Sequence, residues 1–176
     1  MTPSAPAFAI RWLSPADAAA FQSLRLAALQ EAPSAFGMSW EEEKDEPLSA
    51  IQQRLAPDPD RGILGAWVGD QLVGTLGIRR QPTLKQRHKM VAWGVYVAPG
   101  LRGRGISSAL LNDALAFARQ QPGVRQIHLG VTTTNTSALR LYQSAGFQIY
   151  GTEPGALMVD GVLYDEHFMV LELAGV

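Results

Sequence analysis

The spacing of apolar and polar positions along this chain changes period several times, and each change marks an element. Alternating or continuous apolar stretches predict strands at Phe8 to Leu13, Ile63 to Val68, Leu72 to Arg79, Met90 to Val97, Gln126 to Thr132, Phe147 to Tyr150 and Leu163 to Leu173. Helical spacing appears where Phe21, Leu24 and Ala28 share a face, across Leu48 to Leu55, and where Ile106, Ala109, Leu110, Ala114 and Phe117 align. It appears again over Thr136 to Ala145, where Ala138, Leu141, Tyr142 and Ala145 form one face. Ser14-Pro15-Ala16-Asp17 opens the first helix with a serine cap, a proline at the first position and an acid three residues on. Pro33 stops that helix, the turn Pro57-Asp58-Pro59-Asp60 stops the second, and Gly69-Asp70 joins two strands as a hairpin. The predicted order is β-α-α-β-β-β-α-β-α-β-β. It defines an α/β (α+β) chain with a mixed central sheet of about seven strands and helices on both faces.

Length and composition narrow the picture. The 176 residues suit one domain with one sizeable core. Residues 1–7 are rich in proline and alanine and read as a loose N-terminus, leaving 8–174 as the single domain. A net charge of −1 argues against broad nucleic-acid binding. There is no cysteine, which excludes disulfides, a thiol nucleophile and a cysteine zinc site. His88, His128 and His167 are scattered without a metal-ligand spacing, so no metal is expected. No apolar run reaches the ~20 residues that span a bilayer, and the N-terminus lacks the charged and apolar regions of a signal peptide. No membrane partner and a cytoplasmic location are therefore expected.

The most informative run is Val95-Tyr96-Val97-Ala98-Pro99-Gly100-Leu101-Arg102-Gly103-Arg104-Gly105-Ile106-Ser107. An apolar strand stops at a proline, a basic glycine-rich turn follows, and an amphipathic helix begins. Glycines let main-chain N–H groups converge without a Cβ in the way. The helix start adds unpaired donors and a positive dipole end. Arg102 and Arg104 add full charge. The combination is a cradle for an anion, most simply a phosphate or diphosphate. Glycines at 100, 103 and 105 do not meet the G-x-G-x-x-G dinucleotide fingerprint, and no Walker lysine is present.

A second run follows the Gln126 to Thr132 strand. In Asn135-Thr136-Ser137-Ala138-Leu139-Arg140-Leu141-Tyr142-Gln143-Ser144-Ala145-Gly146-Phe147, Asn135 can cap a helix through its side-chain oxygen. Gly146 stands where a glycine ends one.

Together, strand, V-x-P, R-x-x-G-x-S and N-x-x-A-x-x-x-Y-x-x-x-G-F resemble the GNAT superfamily of N-acetyltransferases, and the element order matches that family over nearly the whole length. Ser107 stands where the family usually has Gly or Ala. The resemblance implies a single GNAT-like domain in which two neighbouring parallel strands, ending at Val97 and near Thr132, splay apart to admit acyl-CoA. It implies acetyl-CoA as cosubstrate, held by the main chain of Val95, Tyr96 and Val97, by Arg102, Gly103, Arg104, Gly105, Ile106 and Ser107 at the diphosphate, and by Asn135. Tyr142 is then the acid that protonates the departing thiolate. Such help is typically worth about 10²- to 10⁴-fold in rate, and a phenol of ordinary pKa about 10 is protonated at neutral pH. Without cysteine, transfer is direct.

The acceptor side is less defined. An amine must lose a proton before attack, so a base near neutrality is needed. His88, just ahead of the motif strand, is one candidate; the alternative is a surface histidine in a basic run. Glu41, Glu42 and Glu43 follow Phe36 and Trp40 and could hold a cationic amine, or could be a solvated helix start. Alternation puts Asp165 and His167 on one face of the last strand, either in the pocket or as edge charges that deter aggregation. Phe36, Trp40, Trp93 and Tyr96 could shape the pocket or belong to the core. Members acting on peptide N-termini can carry Glu five residues before the motif Asn; here that position is Gly130. The expectation is acetyl transfer to a small-molecule primary amine: an amino acid or analogue, a polyamine or an amine antibiotic. The alternatives are a protein or peptide N-acetyltransferase, another acyl donor such as succinyl-CoA, and a non-catalytic acyl-CoA-binding sensor. Relatives often pair, so a homodimer belongs to the same expectations.

Overall fold

The computed structural model describes residues 7–173. Its strands are β1 (Ala9–Trp12), β2 (Arg61–Val68), β3 (Gln71–Arg80), β4 (Lys89–Val97), β5 (Gln126–Thr132), β6 (Gln148–Val159) and β7 (Val162–Glu172). Its helices are α1 (Ala18–Glu31), α2 (Trp40–Glu43), α3 (Leu48–Arg54), α4 (Ile106–Gln120) and α5 (Thr136–Ser144). One seven-stranded sheet runs in the order β1-β2-β3-β4-β5-β7-β6. Every pairing is antiparallel except β4 with β5.

The first helix opens at the segment read for it, but the Asp17 carboxylate rather than the Ser14 side chain accepts the closing bonds. Asp17 accepts hydrogen bonds from Ser14 N–H at 2.8 Å and Ser14 Oγ at 3.0 Å, and Arg11 clasps the same carboxylate with two bonds of 2.8 Å. This first turn is 3₁₀ and passes into α1, which ends just before Pro33. The short α2 is the helix start offered as the alternative reading of the Glu41–Glu43 run. It starts at a capping box in which Ser39 N–H donates to Glu42 at 2.8 Å and Glu42 N–H returns to Ser39 Oγ at 3.3 Å.

Two cores flank the sheet. On one face, α4 sends Ile106, Leu110, Leu111, Ala114 and Ala118 against Met90, Ile127, Leu129 and Val131, and α5 adds Tyr142. On the other, α1 and α3 bury Phe21, Ile51 and Leu55 against β2 and β3, while Ala28, Leu29, Phe36 and Tyr96 form a smaller cluster.

Two expectations are corrected. β6 runs to Val159 rather than stopping at Tyr150. Gly151, Pro154 and Gly155 interrupt its apolar pattern, but bulges between Ile149 and Gly151 and between Glu153 and Leu157 carry the strand through them. Pro154 is tolerated because β6 is the edge of the sheet. β7 therefore lies between β5 and β6, so its charges are not edge charges.

Candidate active site

The parallel ladder between β4 and β5 covers only Lys89–Val91 against Gln126–His128. Beyond it the strands part. The cause lies on the other side of β4. The register of β3 and β4 shifts between Thr75 and Gly77, and Gly94 takes φ 61° there, a left-handed conformation that glycine adopts without Cβ strain. The buried Thr75 hydroxyl donates to the Gly94 carbonyl at 3.3 Å and fixes the kink. β4 then bends away from β5 and opens a cleft of about 680 Å³.

Main-chain groups along this gap alternate in direction. Ala98 N–H donates to Val73 on the β3 side, so alternation turns Tyr96 toward β3 and Val95 and Val97 toward the gap. Of the three residues expected to hold a pantetheine arm, Val95 thus keeps main-chain groups free for one. The Val97 carbonyl already accepts Arg102 Nε at 2.8 Å.

The glycine turn forms as the sequence predicts. Gly103 and Gly105 have φ of 75° and 81°, and Gly105 caps α4. An added Cβ at either glycine would meet nothing within 4 Å, so the backbone angle rather than crowding requires glycine, and open space lies over the turn. The first α-helical bond runs from Ala109 N–H to Gly105 O at 3.0 Å, which leaves the N–H groups of Ile106, Ser107 and Ser108 without helical partners. Gly103, Gly105, Ile106, Ser107 and Ser108 line the cleft. These donors and the helix dipole suit a diphosphate.

The arginines behave differently from expectation. The Arg102 guanidinium binds Glu31, the last residue of α1, at 2.7 and 3.3 Å and lies over the Tyr96 ring at 5.5 Å. Arg102 holds the Glu31 carboxyl below its usual range, despite an opposing contribution from partial burial. Both side chains are largely solvated, so the pair is worth only ~0–1 kcal/mol. The Arg102 charge is thus already paired, and the open donors at the turn are the main-chain N–H groups of residues 106–108. Arg104 is exposed on the same turn.

At the far end of the cleft Asn135 caps α5, its Oδ1 accepting Ala138 N–H at 3.2 Å and Ser137 Oγ at 3.2 Å. Tyr142 lines the cleft with 5% exposure, and burial pushes its phenol up to about 12. The proton therefore stays on oxygen throughout the physiological range.

Several acceptor-side expectations are corrected. Glu43 is buried and bound to Arg25 through bonds of 2.7 and 3.0 Å, with Arg25 4.9 Å from the Phe36 ring centre, so it is not free to receive an amine. His88 sits ahead of β4, where its carbonyl accepts Arg125 and Gln126 N–H. It is seven residues, about 23 Å of strand, from Val95 and outside the cleft. Asp165 Oδ1 accepts Gly155 N–H at 2.8 Å and holds a bulge of β6. Trp93 and Tyr96 do line the cleft. Phe36 lines both the cleft and a second cavity of about 620 Å³, which Trp40, Met38, Glu41, Glu42, Met158 and Asp160 also line.

The space over Gly130 is filled from β7. A Cβ at Gly130 would lie 2.7 Å from the carboxyl carbon of Glu166 and would overlap its Oε1. Neither Glu31 nor this placement of Glu166 was legible in the sequence. Both depend on pairings between distant segments, and only strand alternation on β7 hinted that Glu166 faces away from Asp165.

A parallel strand pair thus parts beside a helix start with unpaired N–H groups, with a buried phenol in the gap, which is the layout the sequence resemblance implies. Comparison with known proteins carries this further. The model of the acetyltransferase (GNAT) family matches residues 25–147. The L-amino acid N-acetyltransferase AaaT of Escherichia coli is 30% identical over 118 residues, 67% of this chain and 72% of the relative. The N-alpha-acetyltransferase RimI of Mycobacterium tuberculosis is 37% identical over 118 residues, 65% and 69% of the two chains. The structure of yncA from Salmonella typhimurium with its cofactor acetyl-CoA superimposes with a TM-score of 0.80 at 21% identity, over 97% of this chain and 96% of that one, a likeness of fold. The chain belongs to the GNAT acetyltransferase family. It is an N-acetyltransferase with acetyl-CoA as its cosubstrate.

Proposed function

We propose that this protein transfers the acetyl group of acetyl-CoA directly to a small-molecule primary amine: an amino acid or analogue, a polyamine or an amine antibiotic. The observation that carries this reading is one cleft lined both by the glycine turn before α4 and by Tyr142 on α5. In it the main chain of residues 102–107 holds the diphosphate and Val95 meets the pantetheine arm. The Asn135 cap steadies the end of β5 beside that arm. Tyr142 gives its proton to the departing sulfur. The absence of cysteine leaves no covalent thiol relay.

The second cavity supports an amine acceptor. Met38, Trp40 and Met158 offer apolar surface, Glu41, Glu42 and Asp160 offer negative charge, and Phe36 joins it to the cleft. A cation with an apolar side chain matches that lining, and one relative bears the name of an L-amino acid N-acetyltransferase. A second reading, peptide N-termini as acceptors, draws on the 37% identity to a protein named N-alpha-acetyltransferase.

A panel of amino acids, polyamines, amine antibiotics and short peptides, read by free-thiol release from acetyl-CoA, tests the proposal. Release with free amines supports it, and release with peptides alone favours the second reading. Acetyl-CoA binding without release from any of these acceptors counts against the small-amine reading. Tyr142→Phe should lower turnover about 10²- to 10⁴-fold, with acetyl-CoA affinity by calorimetry kept within about twofold. Unchanged turnover removes Tyr142 from the chemistry. A cytoplasmic location and pairing of two copies belong to the same proposal. Light scattering tests the pairing, and a single-chain mass counts against it.

A further inference from the structure

The reaction just proposed needs a group that removes a proton from the acceptor ammonium, and none of the residues expected to do so reaches the gap. Among the described residues lining the cleft, the titratable side chains are Glu31, Tyr96, Arg102 and Tyr142. Glu31 and Arg102 neutralise one another, burial raises the Tyr96 phenol, and Tyr142 is needed as an acid.

One carboxylate lies against the cleft wall. Glu166 is paired in register with Thr132, and its side chain covers Gly130, both residues of the splayed end of β5. Alternation places His128, Gly130 and Thr132 on one face of β5 and Leu129 and Val131 on the other, where the latter pack with α4 and Tyr142. Glu166 and Tyr142 therefore stand on opposite faces of the sheet, on the two sides of the gap. Glu166 shares its face with the Pro33–Ala35 turn, which packs near β5 and β6 and leads to Phe36. It forms no ion pair among the described residues.

We infer that Glu166 is the base of the acetyl transfer, taking a proton from the acceptor ammonium directly or through one water. This rests on the acetyl-transfer reading above. The proton passes from nitrogen to a Glu166 oxygen, and the freed lone pair forms the C–N bond at the thioester carbonyl carbon. The C–S bond breaks, and sulfur takes the Tyr142 proton. The second nitrogen proton leaves as the amide forms, and exchange with water restores the phenol and the carboxylate. Amide and thiol result with net release of one proton.

The surroundings tune Glu166 toward this task. Burial, and then the charge of Glu153 opposite it on β6, push its carboxyl above the usual range. The other groups facing it are few. β5 presents the neutral Thr132 and, further along, His128, whose own proton affinity is lowered by burial and then by Lys89. The Pro33–Ala35 turn has no ionisable side chain; on β7 Tyr164 shares the Glu166 face, while Asp165 and His167 point to the opposite one. A carboxyl raised in this way is a stronger base than an ordinary carboxylate.

The test is Glu166→Gln, near-isosteric and uncharged, with melting temperature and acetyl-CoA affinity measured alongside. The expected result is a drop in kcat/KM of about 10²- to 10⁴-fold at neutral pH, affinity within twofold, and loss of the acid limb of the pH profile. Gly130→Ala, which drives the carboxylate off its seat, should lower turnover at least about tenfold. Wild-type kcat/KM and an unchanged acid limb in Glu166→Gln would overturn the assignment while leaving acetyl transfer intact. Should that variant fail to fold, the wild-type profile decides: an acid limb absent, or no higher than an ordinary carboxylate, overturns it. Wild-type protein that releases no thiol with any amine overturns both readings together.

Discussion

Gly105 holds φ at 81° where α4 begins, with open space over its α-carbon. A β-branched residue there faces strain of about 1–3 kcal/mol and also fills the volume over the turn. Gly105→Val should abolish measurable acetyl-CoA binding by calorimetry; retained binding would show that the anion sits elsewhere. Tyr142 makes a pH statement. Its proton is held up to about 12, and the acid form is the working form, so no alkaline fall in kcat/KM belongs to Tyr142 below about pH 11. At this scale the sequence was legible wherever a residue acts on the backbone of its own turn. Gly105, Asn135 and Gly146 stand in the roles their spacing predicts. Residues that act through a distant partner were not. Glu43 reads as a free carboxylate until Arg25 is brought to it, and Arg102 reads as a free charge until α1 delivers Glu31.

Elements carry a different lesson. Strand and helix centres followed periodicity closely, down to the bounds of β5. The long β6 did not, because glycine and proline mark turns in a short window, whereas pairing with β7 spreads their effect into bulges. The entry to α1 offers a test of its own. Asp17 closes the turn, and the Arg11 guanidinium beside it holds its carboxyl far below the ordinary range. A carboxyl lowered on folding stabilises above its unfolded pKa of about 4 and loses that contribution as pH falls further. Asp17→Ala should therefore cost about 1–2 kcal/mol by urea unfolding at pH 7, and less at pH 3. An equal cost at both values would sink the ionic account.

For the molecule as a whole, the order of elements and the mixed sheet were legible, and so was the parting of one strand pair, through family resemblance rather than periodicity. The cause of the parting was not legible, because Thr75 and Gly94 are 19 residues apart and meet only in the folded sheet. A ligand that bridges α4, β4 and α5 holds three segments at once. Saturation at a hundredfold over Kd adds about 2.7 kcal/mol, which corresponds to a rise of about 5–11 °C in melting temperature for a chain of this size. Acetyl-CoA giving no rise would argue against the cleft as its seat.

Where β4 leaves β5, rungs of the sheet are missing in the free protein. An amide-bearing arm laid in that seam would serve as a temporary strand, completing the ladder while it stays. Each catalytic cycle would then zip and unzip the centre of the fold, and amides of Val95 and its neighbours should exchange with deuterium faster before loading than after. The protein's tightest architecture would be the one it shares with its own cargo.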